Sequence, residues 1–168
     1  MTLVIPTSAD MERLGFACGS VARAGDVIVL TGELGAGKTT FARGFGDALD
    51  LETPVSSPTF IVARTHPRRA EDLPSLVHLD AYRLGSAAEL DELDIDVSSS
   101  VVLAEWARLY AHALSDSWVE LSIARPVGHT DLVDDDEPRE VTVTAHGDAA
   151  DLWERLMNAG EEFHVSRD

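Results

Sequence analysis

The chain has 168 residues, of which 45% are hydrophobic and 26% charged, a balance typical of one globular domain with a continuous core. Its formal net charge of −17 repels nucleic-acid phosphates, which argues against tight RNA binding by the chain alone. The longest wholly apolar run is too short to cross a bilayer, and the amino-terminal residues lack a signal-peptide pattern. We therefore expect a cytoplasmic protein with no membrane partner.

Apolar periodicity and turn residues divide the chain into alternating strands and helices, which predicts an α/β fold with residues 1–160 as one domain. In chain order the first predicted elements are a strand at 2–5, a helix that Thr7 or Ser8 caps and Gly25 ends, a strand at 27–30, a helix from Lys38 to about Leu49, and a strand at 59–64. After an exposed polar loop at 66–75 come a strand at 76–79, a short helix at 86–93, a strand at 101–104, a helical segment around Leu109, a hairpin with strands at 119–123 and 141–145, and a helix at 148–157. Residues 161–168 are expected to be a flexible tail.

Three single residues bear on this pattern. Gly44 and Gly46 weaken the prediction of a helix from Lys38, because each glycine costs about 1 kcal/mol relative to alanine. Cys18 is the only cysteine and cannot form an internal disulfide, so we interpret it as a core residue.

The segment between the strand at 27–30 and the next helix matches the phosphate-binding pattern G-x-x-x-x-G-K-[ST]. Glycines let backbone amides turn toward a phosphate, and the start of the helix adds a partial positive charge. Lys38 is predicted to neutralise the β- and γ-phosphates, and the Thr39 hydroxyl to ligate Mg²⁺. The predicted nucleotide-binding residues are Gly32, Glu33, Leu34, Gly35, Ala36, Gly37, Lys38, Thr39, Thr40 and Trp106.

Lys38 is the only lysine among thirteen basic residues, the other twelve being arginines. The planar guanidinium of arginine does not fit where a compact charge must reach between phosphate oxygens at a tight loop. The survival of one lysine at this position therefore favours a phosphate-binding role for it.

Two carboxylates follow predicted buried strands. Asp80 ends the stretch 76–79, and Glu105 ends the stretch 101–104, so both are candidates to hold Mg²⁺ directly or through water. The segments N-K-x-D and D-x-x-G, expected of a GTPase, do not occur in the sequence. An adenine nucleotide is therefore favoured, and we predict ATP with Mg²⁺ as the ligands.

These blocks, with Ser57-Pro58-Thr59-Phe60, residues 78–84 and Glu105-Trp106, resemble the bacterial TsaE proteins from about Ser8 to Arg125. The resemblance implies a three-layer P-loop NTPase fold with a mixed, mainly parallel central sheet. It also implies an ATPase, weakly active alone, of tRNA threonylcarbamoyladenosine (t⁶A37) biosynthesis. The implied partners are the TsaD and TsaB subunits of the threonylcarbamoyl-transferase complex, which modifies adenosine 37 of tRNAs reading ANN codons, so that tRNA is met only indirectly.

The resemblance also implies roles for single residues. The catalytic set is Lys38, Thr59, Asp80 and Glu105, and the metal set is Thr39, Asp80 and Glu105. Thr59 would sense the γ-phosphate, although its hydroxyl could simply open a strand after Pro58. Trp106 would flank the nucleotide or a partner surface, with buried packing as the alternative.

The sequence leaves several points open. Ala107 stands where the family usually has proline or glycine, and the acidic segment Asp131 to Glu137 is interpreted as a solvated loop instead of a docking site. Tyr82 and Arg83 are candidates for a partner contact or for a local salt bridge with Glu89 or Asp91. A small phosphotransferase with an arginine lid at Arg68-Arg69 and a nucleotide-gated adaptor without required turnover are the alternative functions.

Overall fold

Seven strands and five α-helices occur in residues 1–56, 62–125 and 137–164, which are the parts of the chain that the computed structural model describes. The strands are β1 (Thr2–Ile5), β2 (Val27–Thr31), β3 (Ala63–His66), β4 (Leu76–Asp80), β5 (Val101–Glu105), β6 (Trp118–Ala124) and β7 (Arg139–His146). The helices are α1 (Ser8–Ser20), α2 (Lys38–Ala48), α3 (Ala87–Asp91), α4 (Ala111–Leu114) and α5 (Ala150–Ala159). Thr59 and residues 131–136 of the acidic segment lie outside the described residues.

The strands form one mixed sheet in the order β1-β7-β6-β2-β5-β4-β3. The four strands β6, β2, β5 and β4 are parallel, while β7, β1 and β3 run antiparallel to their neighbours. The predicted pairing of the hairpin strands is confirmed by the antiparallel contact of β6 with β7. The α/β class and the mainly parallel centre of the sheet are also confirmed.

Helices cover both faces of the sheet and give the fold three layers. One core lies between the sheet and α1, α2 and α5, and the other contains residues of α3 and α4. In β2, Ile28 and Leu30 contribute to the first core while Val27 and Val29 contribute to the second. This burial on both faces explains why the strand is apolar without alternation. None of the helices in the described parts of the chain is long and apolar enough to span a bilayer.

Helix α1 begins as predicted but ends earlier. Thr7 is the N-cap, its hydroxyl accepting a hydrogen bond from the Asp10 amide at 3.1 Å. The helix stops at Ser20 instead of Gly25, because the Val21 carbonyl accepts a hydrogen bond from Arg155 Nη1 at 2.6 Å and the chain then turns toward β2. Gly25 lies in that turn with φ +90°.

Other elements also differ from the predictions; α3 is shorter than the predicted helix at 86–93, and α5 begins and ends two residues later than predicted. Strand β3 continues to His66, into the predicted loop, because His66 is buried and pairs with Leu76. The helical segment lies at α4 instead of around Leu109, which is 77% exposed, because the buried residues of this region are Ala107 and Ala111. Residues 161–163, assigned to the tail, form a 3-10 turn that buries Phe163 in the first core.

The contact between α1 and α2 fixes the helix that follows the glycine loop. The two backbones approach so closely that a Cβ on Gly15 would overlap the Phe41 carbonyl oxygen, and a Cβ on Gly44 would overlap the Glu12 carbonyl oxygen. Gly44, which lowers the intrinsic helix propensity, is therefore required by the neighbouring helix. Cys18 is buried in the same region, as expected of a core residue, and burial raises its thiol pKa to about 12.

Replacing Gly15 by alanine is expected to lower the free energy of unfolding by about 2 to 3 kcal/mol, because the added methyl group forces the two helices apart. Gly85→Ala is the matched control, since its added methyl group would meet only the movable carboxylate of Glu89, at 3.0 Å. Urea unfolding followed by circular dichroism measures both variants. An unchanged stability of Gly15→Ala would contradict the close helix contact.

Candidate functional site

The loop between β2 and α2 depends on glycines with left-handed backbone angles. Gly32, Gly35 and Gly37 have φ values of +152°, +76° and +115°. A Cβ on Gly32 would also lie 2.6 Å from the Ile123 carbonyl oxygen. Both the positive φ and this close contact therefore exclude a side chain at this position. Gly37 is the N-cap of α2 and has no side chain to cap the helix. The amides at the start of α2 are therefore free of a side-chain cap and can donate hydrogen bonds to an anion.

Lys38 lies at the base of this loop and is only 6% exposed. Its Nζ donates hydrogen bonds to the Gly32 and Glu33 carbonyl oxygens at 2.7 and 2.9 Å and lies 4.2 Å from the centroid of the Trp106 ring. Burial lowers the pKa of Lys38, and the negative charges of Glu105 and Asp80 partly offset that effect. The single lysine is thus held as a largely desolvated cation near two carboxylates.

The two predicted carboxylates lie side by side at one edge of the sheet. Asp80 ends β4, Glu105 ends β5, and the two are register partners in the parallel pairing of these strands. The Asp80 Oδ1 accepts a hydrogen bond from the Tyr82 amide at 3.0 Å, which caps the 3-10 turn 81–83. Glu105 is 4% exposed, and its Oε2 lies 3.0 Å from Nε2 of His78. Each carboxylate therefore has one oxygen fixed by a neighbour.

Lys38 and both carboxylates line a cavity of about 500 Å³. Its lining consists of Leu34, Gly35, Gly37, Lys38, Thr39, Thr40, Asp80, Tyr82, Arg83, Glu105 and Trp106. Most of the predicted site residues are brought together here. Gly32 and Glu33 contribute the carbonyls that bind Lys38, and Ala36 lies on the opposite side of the loop.

On that opposite side the loop borders a second, smaller cavity of about 50 Å³. The lining of this smaller cavity includes Thr7 and Met11 at the start of α1 and Arg139 at the start of β7. The sequence patterns did not connect these residues with the glycine loop. Arg139 is 9% exposed and donates a hydrogen bond to the Glu137 carbonyl oxygen at 2.6 Å. The glycine loop thus separates two spaces of different size.

Trp106 turns the chain sharply after β5. Its φ of +58° is unusual for a bulky residue, and its amide donates to the Leu30 carbonyl oxygen at 3.4 Å. The ring contacts Tyr82 edge to face, with centroids 5.3 Å apart, while Ala107 is fully buried. The aromatic pair forms one wall of the larger cavity, and Tyr82 remains 71% exposed.

Two buried polar residues near the site were missed by sequence reasoning. His78 contacts Glu105, and Glu120 on β6 accepts a hydrogen bond from the Thr31 hydroxyl at 2.9 Å and lies 3.5 Å from Nε of Arg108. Thr31 precedes the glycine loop and Arg108 follows Trp106, so Glu120 joins the bases of the two loops. The available signal was a charged or titratable residue inside an otherwise apolar strand.

Comparisons with known proteins agree on one family. The family model described as threonylcarbamoyl adenosine biosynthesis protein TsaE matches residues 5–131. The tRNA threonylcarbamoyladenosine biosynthesis protein TsaE of Streptomyces coelicolor is 47% identical over 141 residues, covering 82% of this chain and 92% of that protein. The protein of the same name from Bacillus subtilis is 36% identical, with coverages of 78% and 77%. The crystal structure of Bacillus subtilis YdiB superposes with a TM-score of 0.66 at 29% identity, covering 96% of this chain and 94% of that one.

Removing the charge of Glu105 is expected to lower the pKa of Lys38 further, because this carboxylate stabilises the protonated amine. In Glu105→Gln, acetylation of Lys38 should therefore begin at a lower pH than in the wild type. The measurement is the rate of lysine acetylation against pH in metal-free buffer, read by mass spectrometry. Glu140→Gln, on the exposed side of β7, serves as the control, and an equal shift in both variants would contradict the assignment.

Proposed function

The chain belongs to the TsaE family, and from that premise we propose that it binds and hydrolyses ATP with Mg²⁺ in support of t⁶A37 formation in tRNA. The observation that carries this proposal is the position of the only lysine. Lys38 lies under a glycine loop in a cavity of about 500 Å³, facing the ends of two adjacent parallel strands that carry Asp80 and Glu105. This is the charge arrangement that a nucleoside triphosphate with a divalent cation requires.

The loop offers the backbone groups that a phosphate chain needs. The left-handed glycines leave no Cβ between the loop backbone and a ligand, and the uncapped start of α2 offers amide donors. Lys38 would exchange the Gly32 and Glu33 carbonyl oxygens, at 2.7 and 2.9 Å, for phosphate oxygens. Because the carbonyls hold the amine near the loop without neutralising its charge, a phosphate is the stronger partner.

The donor set also fits Mg²⁺. Thr39, Asp80 and Glu105 offer only oxygen ligands and line one cavity. When bound, Mg²⁺ would supply neutralisation of the charge on the phosphates. Between them, Asp80 and Glu105 would hold the cation and accept a hydrogen bond from the attacking water. Thr59 stays a predicted sensor of the γ-phosphate.

The paired arginines argue against the alternative of a phosphotransferase with an arginine lid. The Arg69 amide donates to the Asp50 carbonyl oxygen at 3.0 Å, and its guanidinium lies 3.2 Å from the Asp50 carboxylate. Arg68 pairs with Leu51 through an isolated bridge. Both arginines are thus engaged with the segment after α2, away from the residues that line the larger cavity.

The charge of the chain favours an indirect role toward RNA. At −17 the protein repels a phosphate backbone, so the proposed partners, TsaD and TsaB, would hold the tRNA while ATP sets the state of this chain. We propose that the protein acts in the cytoplasm together with those partners. A nucleotide-gated adaptor that requires binding without turnover is the second candidate, and it shares the same site.

ATP with Mg²⁺ is expected to protect Lys38 from acetylation, because the phosphates occupy the space around its amine. The acetylated product is unambiguous, since Lys38 is the only lysine, and the α-amino group of Met1 provides an internal control.

Lys38→Ala should weaken ATP binding by about 100-fold, because the charge-assisted contacts of the amine with the phosphates are lost. Calorimetry measures this binding, with circular dichroism as the check of folding. Undiminished ATP binding by a folded Lys38→Ala would remove the proposal.

In a reconstituted tRNA modification assay, the TsaD and TsaB pair should form t⁶A37 only when this chain and ATP are present. Lys38→Ala should abolish this formation of t⁶A37. A slowly hydrolysed ATP analogue distinguishes the two candidate functions, since it should support an adaptor but not an ATPase that requires turnover. The chain alone should not bind tRNA at submicromolar concentration in physiological salt, because of its charge. Tight tRNA binding by the chain alone, or modification without the partners, would show that the division of labour is wrong.

A further inference from the structure

His78 occupies an unusual place for a titratable ring. It lies within the strand β4 between Val77 and Leu79 and is 1% exposed. In the parallel pairing of β4 with β5 its register partner is Leu103, so Glu105, two residues further on, points to the same face of the sheet. That face is the one covered by α2, the helix that begins at Lys38.

The bond between His78 and Glu105 has a definite direction. Nε2 of His78 lies 3.0 Å from Oε2 of Glu105, and both side chains are nearly fully buried. Nδ1 of His78 has no hydrogen-bond partner within the described parts of the chain. A proton on Nδ1 would be a buried donor without an acceptor, so the proton belongs on Nε2 and His78 donates to Glu105.

The hydrogen bond to His78 restricts the Glu105 carboxylate, for which the Lys38 amine is a competing partner. Glu105 and Lys38 line the same cavity and carry opposite charges, yet the Lys38 amine donates to the Gly32 and Glu33 carbonyl oxygens. A glutamate free to rotate would move toward the lysine and neutralise it. Fixing Oε2 on His78 keeps Glu105 in one rotamer, which leaves Oε1 as the oxygen for the cavity.

We propose that His78 is a positioning residue, which holds the Glu105 carboxylate ready for Mg²⁺ and the attacking water and prevents it from pairing with Lys38. The inference rests on the proposed function, because it assumes that ATP and Mg²⁺ occupy the cavity. It adds a residue that touches neither ligand. Hydrogen-bond partners that orient a metal-binding carboxylate commonly change metal affinity or activity by about 10- to 100-fold when they are removed.

The test compares variants that differ in whether they can donate to Glu105. His78→Gln places an amide donor near the position of Nε2, whereas His78→Asn is equally polar but too short to reach, and His78→Leu has no donor. His66→Leu is the matched control, because His66 is an equally buried histidine on the adjacent strand whose Nδ1 lies near the Thr53 hydroxyl, at 3.3 Å. Thermal unfolding of each variant separates stability from function.

Two readouts are measured on the folded proteins: ATP binding with and without Mg²⁺ by calorimetry, and kcat and KM for hydrolysis. His78→Asn and His78→Leu should bind ATP in metal-free buffer within about twofold of the wild type but should need about 10- to 100-fold more Mg²⁺, with a matching fall in kcat. His78→Gln should recover most of both properties. His66→Leu should change only the stability.

The outcomes distinguish this inference from the proposed function. If the wild type binds neither ATP nor Mg²⁺ with ATP, the proposed function fails. If the wild type binds both, and His78→Asn or His78→Leu responds to Mg²⁺ like His66→Leu, the positioning role alone is overturned. The positioning role is also overturned if folded His78→Gln needs as much Mg²⁺ and has as low a kcat as His78→Asn. If His78→Leu does not fold, the comparison of His78→Gln with His78→Asn still tests the positioning role of His78.

Discussion

Parallel pairing of β2 with β5 and of β5 with β4 brings three strand ends to one edge of the sheet, and the candidate site depends on it. Leu30 at the end of β2 is the register partner of Glu105, and Glu105 is the register partner of Asp80. The glycine loop leaves the sheet one residue after Thr31. A slip of one residue in either pairing would turn a carboxylate to the opposite face of the sheet. Such a slip would also move the buried side chains of these strands out of the two cores that they fill, so the packing that stabilises the fold also aligns the charges of the site.

The site combines the buried cation of Lys38 with the buried carboxylate of Glu105, and each makes its hydrogen bonds to other groups. Lys38 is held by loop carbonyls and an aromatic ring, and Glu105 is held by His78. Each charge thus has contacts other than with the opposite charge of the site, so the cavity keeps both signs of charge available to a ligand.

Much of this arrangement was predictable from the sequence, and the failures have physical causes. The loop at 32–39 and the strand ends at Asp80 and Glu105 follow from local patterns, since a strand buried on both faces and a glycine turn leave signals in adjacent residues. The end of α1 was placed too late because Val21 and Ala22 continue the apolar pattern, while the interaction that ends the helix comes from Arg155, far away in the chain. His78 was missed for the same reason, as its partner is defined only by strand register.

The contact between α1 and α2 has a mechanical consequence. At Gly15, Gly19 and Gly44 the two helix backbones touch, so no side chain at these points can change rotamer and absorb a displacement. The two helices therefore form one rigid body, with the glycine loop at one end and the half-exposed ring of Phe16 on its outer surface. A tilt of α2 at the loop would therefore move α1 with it, and a probe on the exposed ring of Phe16 would report a change inside the loop.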